Sequence, residues 1–374
     1  MTAPVVKGWC PGAYRPMMSG DGLIVRVRPR GGRLSAREAR GLADVADRYG
    51  NGVLDLTSRA NLQNRGVREE AHDALLNDLA ALGLLDEDPL LEARRNILVA
   101  PFWTEADETC RLVHALTQAL PQLPELPAKV GFAVDTGPRR VLADASADIR
   151  IERAAEGGLL VRADGLGLGR YVTEAEVIPA VLDMSAWLAP RITPDTRRMA
   201  AVVARETPPD EWQTAEPATT QKLAPGPTPH GAILGAAFGQ IETQALLDLL
   251  EVTRCTGLRF LPGRMFLLEG VTEAPEGTFL TDPGSAYLTT NACPGAPLCA
   301  HASVETRALA RALAPRVGGD LHVSGCAKGC AHPGKAALTL VGRDGRFDLV
   351  RDGCSWDEPA VAGLSPENAA RLTG

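Results

Sequence analysis

The stretch GLIVRVRPRGGRLSAREARGLADVADRYGNGVLDLTSRANLQNRGV, from Gly22 to Val67, decides the fold because its pattern returns later in the chain. The later copy, HGAILGAAFGQIETQALLDLLEVTRCTGLRFLPGRMFLLEGV, runs from His230 to Val271. It sets Gly239 opposite Gly32, Ile241 opposite Leu34, Leu249 opposite Leu42 and Val252 opposite Val45. After a three-residue gap, Leu258 and Phe260 stand opposite Leu54 and Leu56. Each copy reads strand, helix, strand, strand. In the first, a strand over Ile24–Arg28 precedes a helix over Ser35–Tyr49 with Ala39, Leu42, Val45 and Ala46 on one face. Short strands over Val53–Thr57 and Leu62–Gly66 follow, then a helix over Glu69–Leu82. Each βαββ copy resembles half of a ferredoxin-like unit, so the expected class is α+β with two such halves pairing into one domain.

Outward from the repeats, a helical pattern covers Glu105–Leu120, and strand-like runs lie at Lys129–Asp135, Asp148–Glu152 and Leu159–Ala163. Residues 208–229, rich in Pro, Thr and Ala, read as a linker. Beyond the second copy, a helix is expected over Ser303–Ala314, with strands near Leu321–Ser324 and Ala337–Val341. The expected division is residues 1–88 and 230–285 for the ferredoxin-like halves, 89–207 for a first α/β lobe, and 286–374 for a cysteine-bearing α/β lobe.

Composition narrows the function. A chain of 374 residues, 45% hydrophobic and 23% charged, suits a multidomain globular enzyme. A net charge of −7 argues against a large nucleic-acid surface, and no apolar run is long enough to span a bilayer. The first residues lack the apolar core of a signal peptide, so a cytoplasmic protein is expected. In that compartment eight cysteines point to metal or redox chemistry before disulfides.

Four of the eight form a pattern: Cys293-x5-Cys299 in NACPGAPLCAH, then Cys326-x3-Cys330 in SGCAKGCAHPG. Four thiolates complete the outer coordination of a 4Fe-4S cluster. Zinc is the rival, but its cysteine pairs favour gaps of about two to four residues. Cys10, Cys110, Cys255 and Cys354 are scattered, with Cys110 and Cys255 in helical patterns as core residues. His301 and His332, each two residues after a cysteine of the quartet, are candidates for ligating a second, non-haem iron.

The quartet, the repeated βαββ unit and TSRANLQNRG together resemble the siroheme-dependent sulfite and nitrite reductase superfamily. Within it, RPMMSGDGLIVRVRPRGGRL, DLTSRANLQNRGV and HVSGCAKGCAHPG look most like the precorrin-3B synthase family of aerobic cobalamin biosynthesis. The resemblance implies oxygenation of precorrin-3A by dioxygen, giving precorrin-3B. Electrons would come from NADH through a separate reductase, or from a ferredoxin. It leaves two alternatives: a siroheme enzyme reducing sulfite or nitrite, and a cluster-bearing electron carrier or tetrapyrrole binder.

Basic residues supply the second line of reading. Arg26, Arg28 and Arg30 alternate along the opening strand of the first repeat, and Arg59 and Arg65 lie in its hairpin. The second repeat has Ile233, Gly235 and Ala237 where the first has Arg26, Arg28 and Arg30. Guanidinium groups bind carboxylates bidentately, so this set suits a polycarboxylate. The resemblance implies that Arg28, Arg59 and Arg95 face a tetrapyrrole or its ligand. The family's lysine pair survives only as Lys129, with Gly131 in place of the second lysine. That departure makes room for something larger than a small anion. GLGLGR at Gly165–Arg170 is not a dinucleotide fingerprint, because its spacing differs and Asp183 falls inside a helical pattern; a turn against tetrapyrrole carboxylates is expected instead.

Overall fold

The computed structural model describes residues 11–317 and 320–372, so Cys10 lies outside the described residues. Four five-stranded sheets make up the described architecture. The first repeat contributes Gly22–Val27, Val53–Leu56 and Leu62–Val67, all in one sheet; the second contributes Gly231–Gly235, Gly257–Leu261 and Met265–Glu269 to another. The helices are Ala36–Tyr49 and Thr243–Thr253. Ser35 starts the first helix because its hydroxyl accepts the Glu38 N–H while the Glu38 carboxylate accepts the Ser35 N–H, a reciprocal cap.

The two halves are joined by strand exchange. Arg33–Ser35, from the first repeat, pairs with Gly257–Leu261 of the second, setting Leu34 opposite Leu258. Gln240–Glu242, from the second, pairs with Val53–Leu56 of the first, setting Ile241 opposite Leu54. One apolar core therefore draws on both copies, including Leu42, Leu54, Leu250, Leu258 and Phe266. The turns repeat as faithfully as the strands. Gly31 (φ 60°) matches Phe238 (φ 59°), and Ala60 (φ 55°) matches Arg264 (φ 63°). Left-handed backbone is costly for a residue with a side chain. At Phe238 burial to 4% exposure and edge-on packing against Tyr287 offset that cost.

In the first α/β lobe, Ile97–Val99, Phe132–Asp135 and Ile149–Arg153 run parallel, and Leu159–Ala163 and Arg170–Val172 extend the sheet antiparallel. Helices Glu108–Ala119 and Val177–Leu188 cover it through Leu112, Leu116, Val181 and Met184. The glycine-rich turn joins two antiparallel strands, so it is no strand-to-helix phosphate loop. Gly165 packs against Ala200 and Val203, and Arg170 pairs with Asp183 and Glu211 rather than facing an empty cleft.

The 208–229 stretch, expected as a linker, is tied down along the same lobe. Trp212 is 2% exposed and packs edge-on against Trp187. Isolated bridges hold Ala215 to Gly169, Pro217 to Ala154 and Thr220 to Arg140. Its end, Gly226–Thr228, pairs with Gly231–Gly235. The last lobe places Thr290–Ala292, Leu321–Ser324 and Ala336–Arg343 in parallel, backed by helix Arg307–Val317. Cys110 lies in a helix as expected, whereas buried Cys255 falls just past the end of helix Thr243–Thr253, after left-handed Arg254 closes it.

Candidate active site

Parallel pairing brings the cysteines together. Strands Thr290–Ala292 and Leu321–Ser324 are neighbours running the same way, so the loops that leave them emerge at one edge of the sheet. The first loop carries Cys293 and Cys299, and the second carries Cys326 and Cys330. The loops are laced to each other: Gly325 donates its N–H to Cys293 Sγ at 3.2 Å, and Ser303 donates to the Gly325 carbonyl at 3.3 Å. Two glycines make the close approach possible. A Cβ on Gly325 would sit 2.6 Å from Ala302 Cβ, and one on Gly329 (φ 59°) would run into Ser355 Oγ.

Proximity shows in the thiols' acidity. Removal from water pushes the Cys326 thiol up, the Lys328 N–H opposes that, and Cys293 and Cys299 add repulsion. Cys330 keeps an exposed edge but is densely surrounded by protein; desolvation raises it first, and Cys326, Cys293 and Cys299 raise it further. Among the described residues no three such side chains close around a single metal ion. A cubane does not require that, because each of its irons takes one terminal thiolate. The all-sulfur donor set and the glycine-lined loops fit such a cluster. Cys354, the remaining C-terminal cysteine, is buried.

Each repeat sends one arginine to clamp a cysteine loop. Arg65 donates to the Leu298 carbonyl at 3.1 Å and to Asp21 at 2.9 Å. Arg264, at the matching hairpin turn of the second repeat, donates to the Ala331 carbonyl at 2.9 Å. Desolvation, with Arg307 nearby, pulls the Arg264 guanidinium below its ordinary value. Arg307 in turn pairs with Asp55 at 2.7 Å.

The other basic residues separate into two groups. Arg28 is buried against the carboxylate of Glu92, and Arg95 against Asp86 at 2.9 Å. Arg95 also donates to the Arg28 carbonyl at 3.0 Å, which links the two pairs. Arg26 is half-buried on its strand, which ends at Val27, while Arg30 falls in the following turn and is exposed beside Asp86. The expected single arginine face is thus broken up: Arg28 is drawn to an internal carboxylate, and Arg30 leaves the strand. Arg59 and Lys129 form the second group: Arg59 donates to Ser146 Oγ at 2.8 Å and to the Lys129 carbonyl at 3.4 Å. These contacts join the hairpin of the first repeat to the first α/β lobe.

The histidines are arranged differently from the sequence expectation. His301 is exposed on the first cysteine loop. His332 donates its Nε2–H to the Lys335 carbonyl, 3.0 Å away, and its ring meets that of His322 edge-on at 5.7 Å. His322 is fully buried, and burial pushes it down to about 4, with His332 and Arg264 adding repulsion. His301 and His332 are not assembled with a third donor among the described residues, so a second iron finds no ready site on them.

Residues 15–82 match the nitrite/sulfite reductase ferredoxin-like half domain. Across 419 residues, 96% of this chain and 86% of the relative, the sequence is 30% identical to a precorrin-3B synthase from a Sinorhizobium species. The chain belongs to the precorrin-3B synthase family. A ferredoxin–nitrite reductase from Synechococcus elongatus is 24% identical over 90% of this chain and 79% of its own length. The solved structure of the Mycobacterium tuberculosis NirA protein matches with a TM-score of 0.65 at 18% identity, covering 92% of this chain and 78% of that one, which establishes the shared nitrite/sulfite reductase-like fold. In this member of the precorrin-3B synthase family, sequence reading missed the acidic residues that hold the basic ones: Glu92, Asp86 and Asp21. They lie 64, 9 and 44 positions away from their arginine partners, and nothing local in the sequence marks the pairing.

Proposed function

We propose that the protein is a precorrin-3B synthase acting as a cytoplasmic monooxygenase on precorrin-3A. In the reaction one oxygen atom of dioxygen enters the macrocycle at a meso carbon and a ring acetate closes a γ-lactone. The other atom leaves as water, at the expense of two electrons and two protons. Family membership supports the substrate, and the convergence of the Cys293–Cys299 and Cys326–Cys330 loops at one sheet edge is the observation that carries the redox reading. Those four cysteines would hold a 4Fe-4S cluster, which when bound supplies electrons one at a time from a ferredoxin or an NADH-fed reductase.

The chain's own residues have separate tasks in this reading. Arg59 and Lys129 attract and orient the acetate and propionate arms of the tetrapyrrole. Arg65 and Arg264 hold the cysteine loops against the paired half-domains. Gly131, in place of a second lysine, removes one cation from the site, and the space a side chain would take there is filled by Asn96.

Visible absorption of the anaerobically purified protein tests the proposal. The expected spectrum is the broad brown shoulder of a cluster, without the intense near-Soret and red bands of siroheme. Serine at Cys293, Cys299, Cys326 or Cys330 should bleach it. A variant that keeps a complete native cluster spectrum would remove that cysteine from the ligand set, and stoichiometric siroheme would favour the reductase reading.

A further inference from the structure

The absence of lysine at position 131 has a local cause and a local remedy. A Cβ on Gly131 would lie 2.6 Å from Asn96 Nδ2 and 3.1 Å from the Asn96 carbonyl oxygen, so a side chain is excluded unless Asn96 shifts. The Gly131 N–H instead donates to Asp148 Oδ2 at 2.9 Å. The same carboxylate, fully buried, receives Arg198 Nε at 2.9 and 3.0 Å. The guanidinium of Arg198 is thereby anchored beside Gly131, with its side chain 31% exposed.

Arg198 Nη2 then reaches Ser146 Oγ at 3.1 Å, the same oxygen that takes Arg59 Nη2 at 2.8 Å. Two guanidinium groups thus converge on one hydroxyl. A serine hydroxyl has two acceptor positions and one proton. With both acceptor positions filled by guanidinium N–H groups, the Ser146 proton is directed outward as a donor. Arg198 Nη1 has no partner among the described residues. Asp148, which pairs with Arg198, is itself shielded from solvent.

We infer that Arg198, Arg59 and the Ser146 hydroxyl form an oxyanion notch that receives a carboxylate of the substrate, with Arg198 supplying the cation that position 131 lacks. This rests on the tetrapyrrole reading above and adds to it a positioning residue from a different part of the chain. The recognised chemistry is an oxyanion, a carboxylate arm on the macrocycle or a free anion such as sulfite, and competition between the two separates them.

The test is a fluorescence titration of the full protein with uroporphyrin, a stable polycarboxylate tetrapyrrole, at low and high salt. Wild type, Arg198→Gln and Ser146→Ala are compared, with sulfite added as a competitor. Arg198→Gln should weaken uroporphyrin binding by about 10- to 100-fold, the range for charge-assisted hydrogen bonds, and flatten its salt dependence. Ser146→Ala, which leaves the Arg198–Asp148 pair intact, should weaken it by about 3- to 10-fold without lowering the melting temperature. If wild type binds and both variants bind equally well with the same salt slope, the notch is wrong while the tetrapyrrole reading stands. If wild type does not bind uroporphyrin, the tetrapyrrole reading falls and the inference falls with it. If only sulfite binding depends on Arg198, the notch takes a free anion and the inference is overturned.

Discussion

Replacing Asp135 with asparagine should stabilise the protein, and more so as pH rises. Asp135 ends the Phe132–Asp135 strand at 1% exposure. Its Oδ2 accepts the N–H groups of Val141 and Leu142, both at 2.7 Å, while Oδ1 has no partner among the described residues. Burial raises the carboxyl from 3.8 to about 6, because the two N–H bonds only partly offset the loss of water and Glu152 repels the charge. The sign follows from proton uptake: between those values the native state holds its proton more tightly than the unfolded chain, so stability falls as pH rises through this window. A shift of about two units corresponds to roughly 3 kcal/mol, fully present above pH 6. Asparagine keeps the carbonyl oxygen for Val141 and Leu142 but carries no charge to desolvate. Urea denaturation of wild type and Asp135→Asn at pH 4.5 and pH 8 measures the effect. The stability gain at pH 8 should exceed that at pH 4.5 by roughly 2 kcal/mol. An identical difference at both pH values would show that Asp135 ionises normally and that the argument from its burial fails.

Other outcomes follow from named contacts. Glu269 receives Arg33 at 2.8 and 2.7 Å and Arg259 at 2.5 Å, bridging the two repeats. Glu269→Gln should cost about 3 kcal/mol in thermal or urea unfolding. Burial alone would raise the Glu269 carboxyl, but Arg33 and Arg259 outweigh it and hold it low. That stabilisation is present above about pH 4 and lost as pH falls through the depressed value, so the variant should show a weaker acid dependence there. Trp212→Ala should cost about 3–5 kcal/mol, since the side chain is 2% exposed; a change within 0.5 kcal/mol would return the 208–229 stretch to a free linker. Arg28→Ala should act on stability, by leaving Glu92 buried and unpaired, at about 3–5 kcal/mol. Arg59→Ala should leave the melting temperature near wild type and weaken tetrapyrrole binding by about 1.5–3 kcal/mol; the reverse pattern would exchange their roles.

Much of this architecture can be read from the sequence because its signals are periodic. The apolar spacing of Ala39, Leu42, Val45 and Ala46 marks a helix face, and all four are buried. The paired glycines at 32 and 239 mark the same left-handed turn in both repeats. The quartet is equally legible, since cysteine spacing survives without knowledge of the strands that deliver it. Strand exchange is not, because Arg33–Ser35 and Gln240–Glu242 are three residues each, too short to show alternation. Composition misleads at 208–229, where proline and threonine suggest freedom while a single tryptophan fixes the path. Arginines are the hardest to read. Alternation along the opening strand says nothing about Glu92 or Asp86, which decide whether Arg28 and Arg95 face a ligand or the interior. Arg198 escapes notice for the same reason: only the folded chain sets it beside Ser146 and Gly131.

The measurement that bears most directly on the proposed activity is product mass. Anaerobically purified protein is mixed with precorrin-3A and a reductant, then exposed to oxygen-18-labelled dioxygen. The expected product is a tetrapyrrole heavier than precorrin-3A by one labelled oxygen atom, formed only when protein, reductant and dioxygen are all present. Unaltered precorrin-3A, from protein that carries stoichiometric siroheme and turns over sulfite or nitrite, would contradict it.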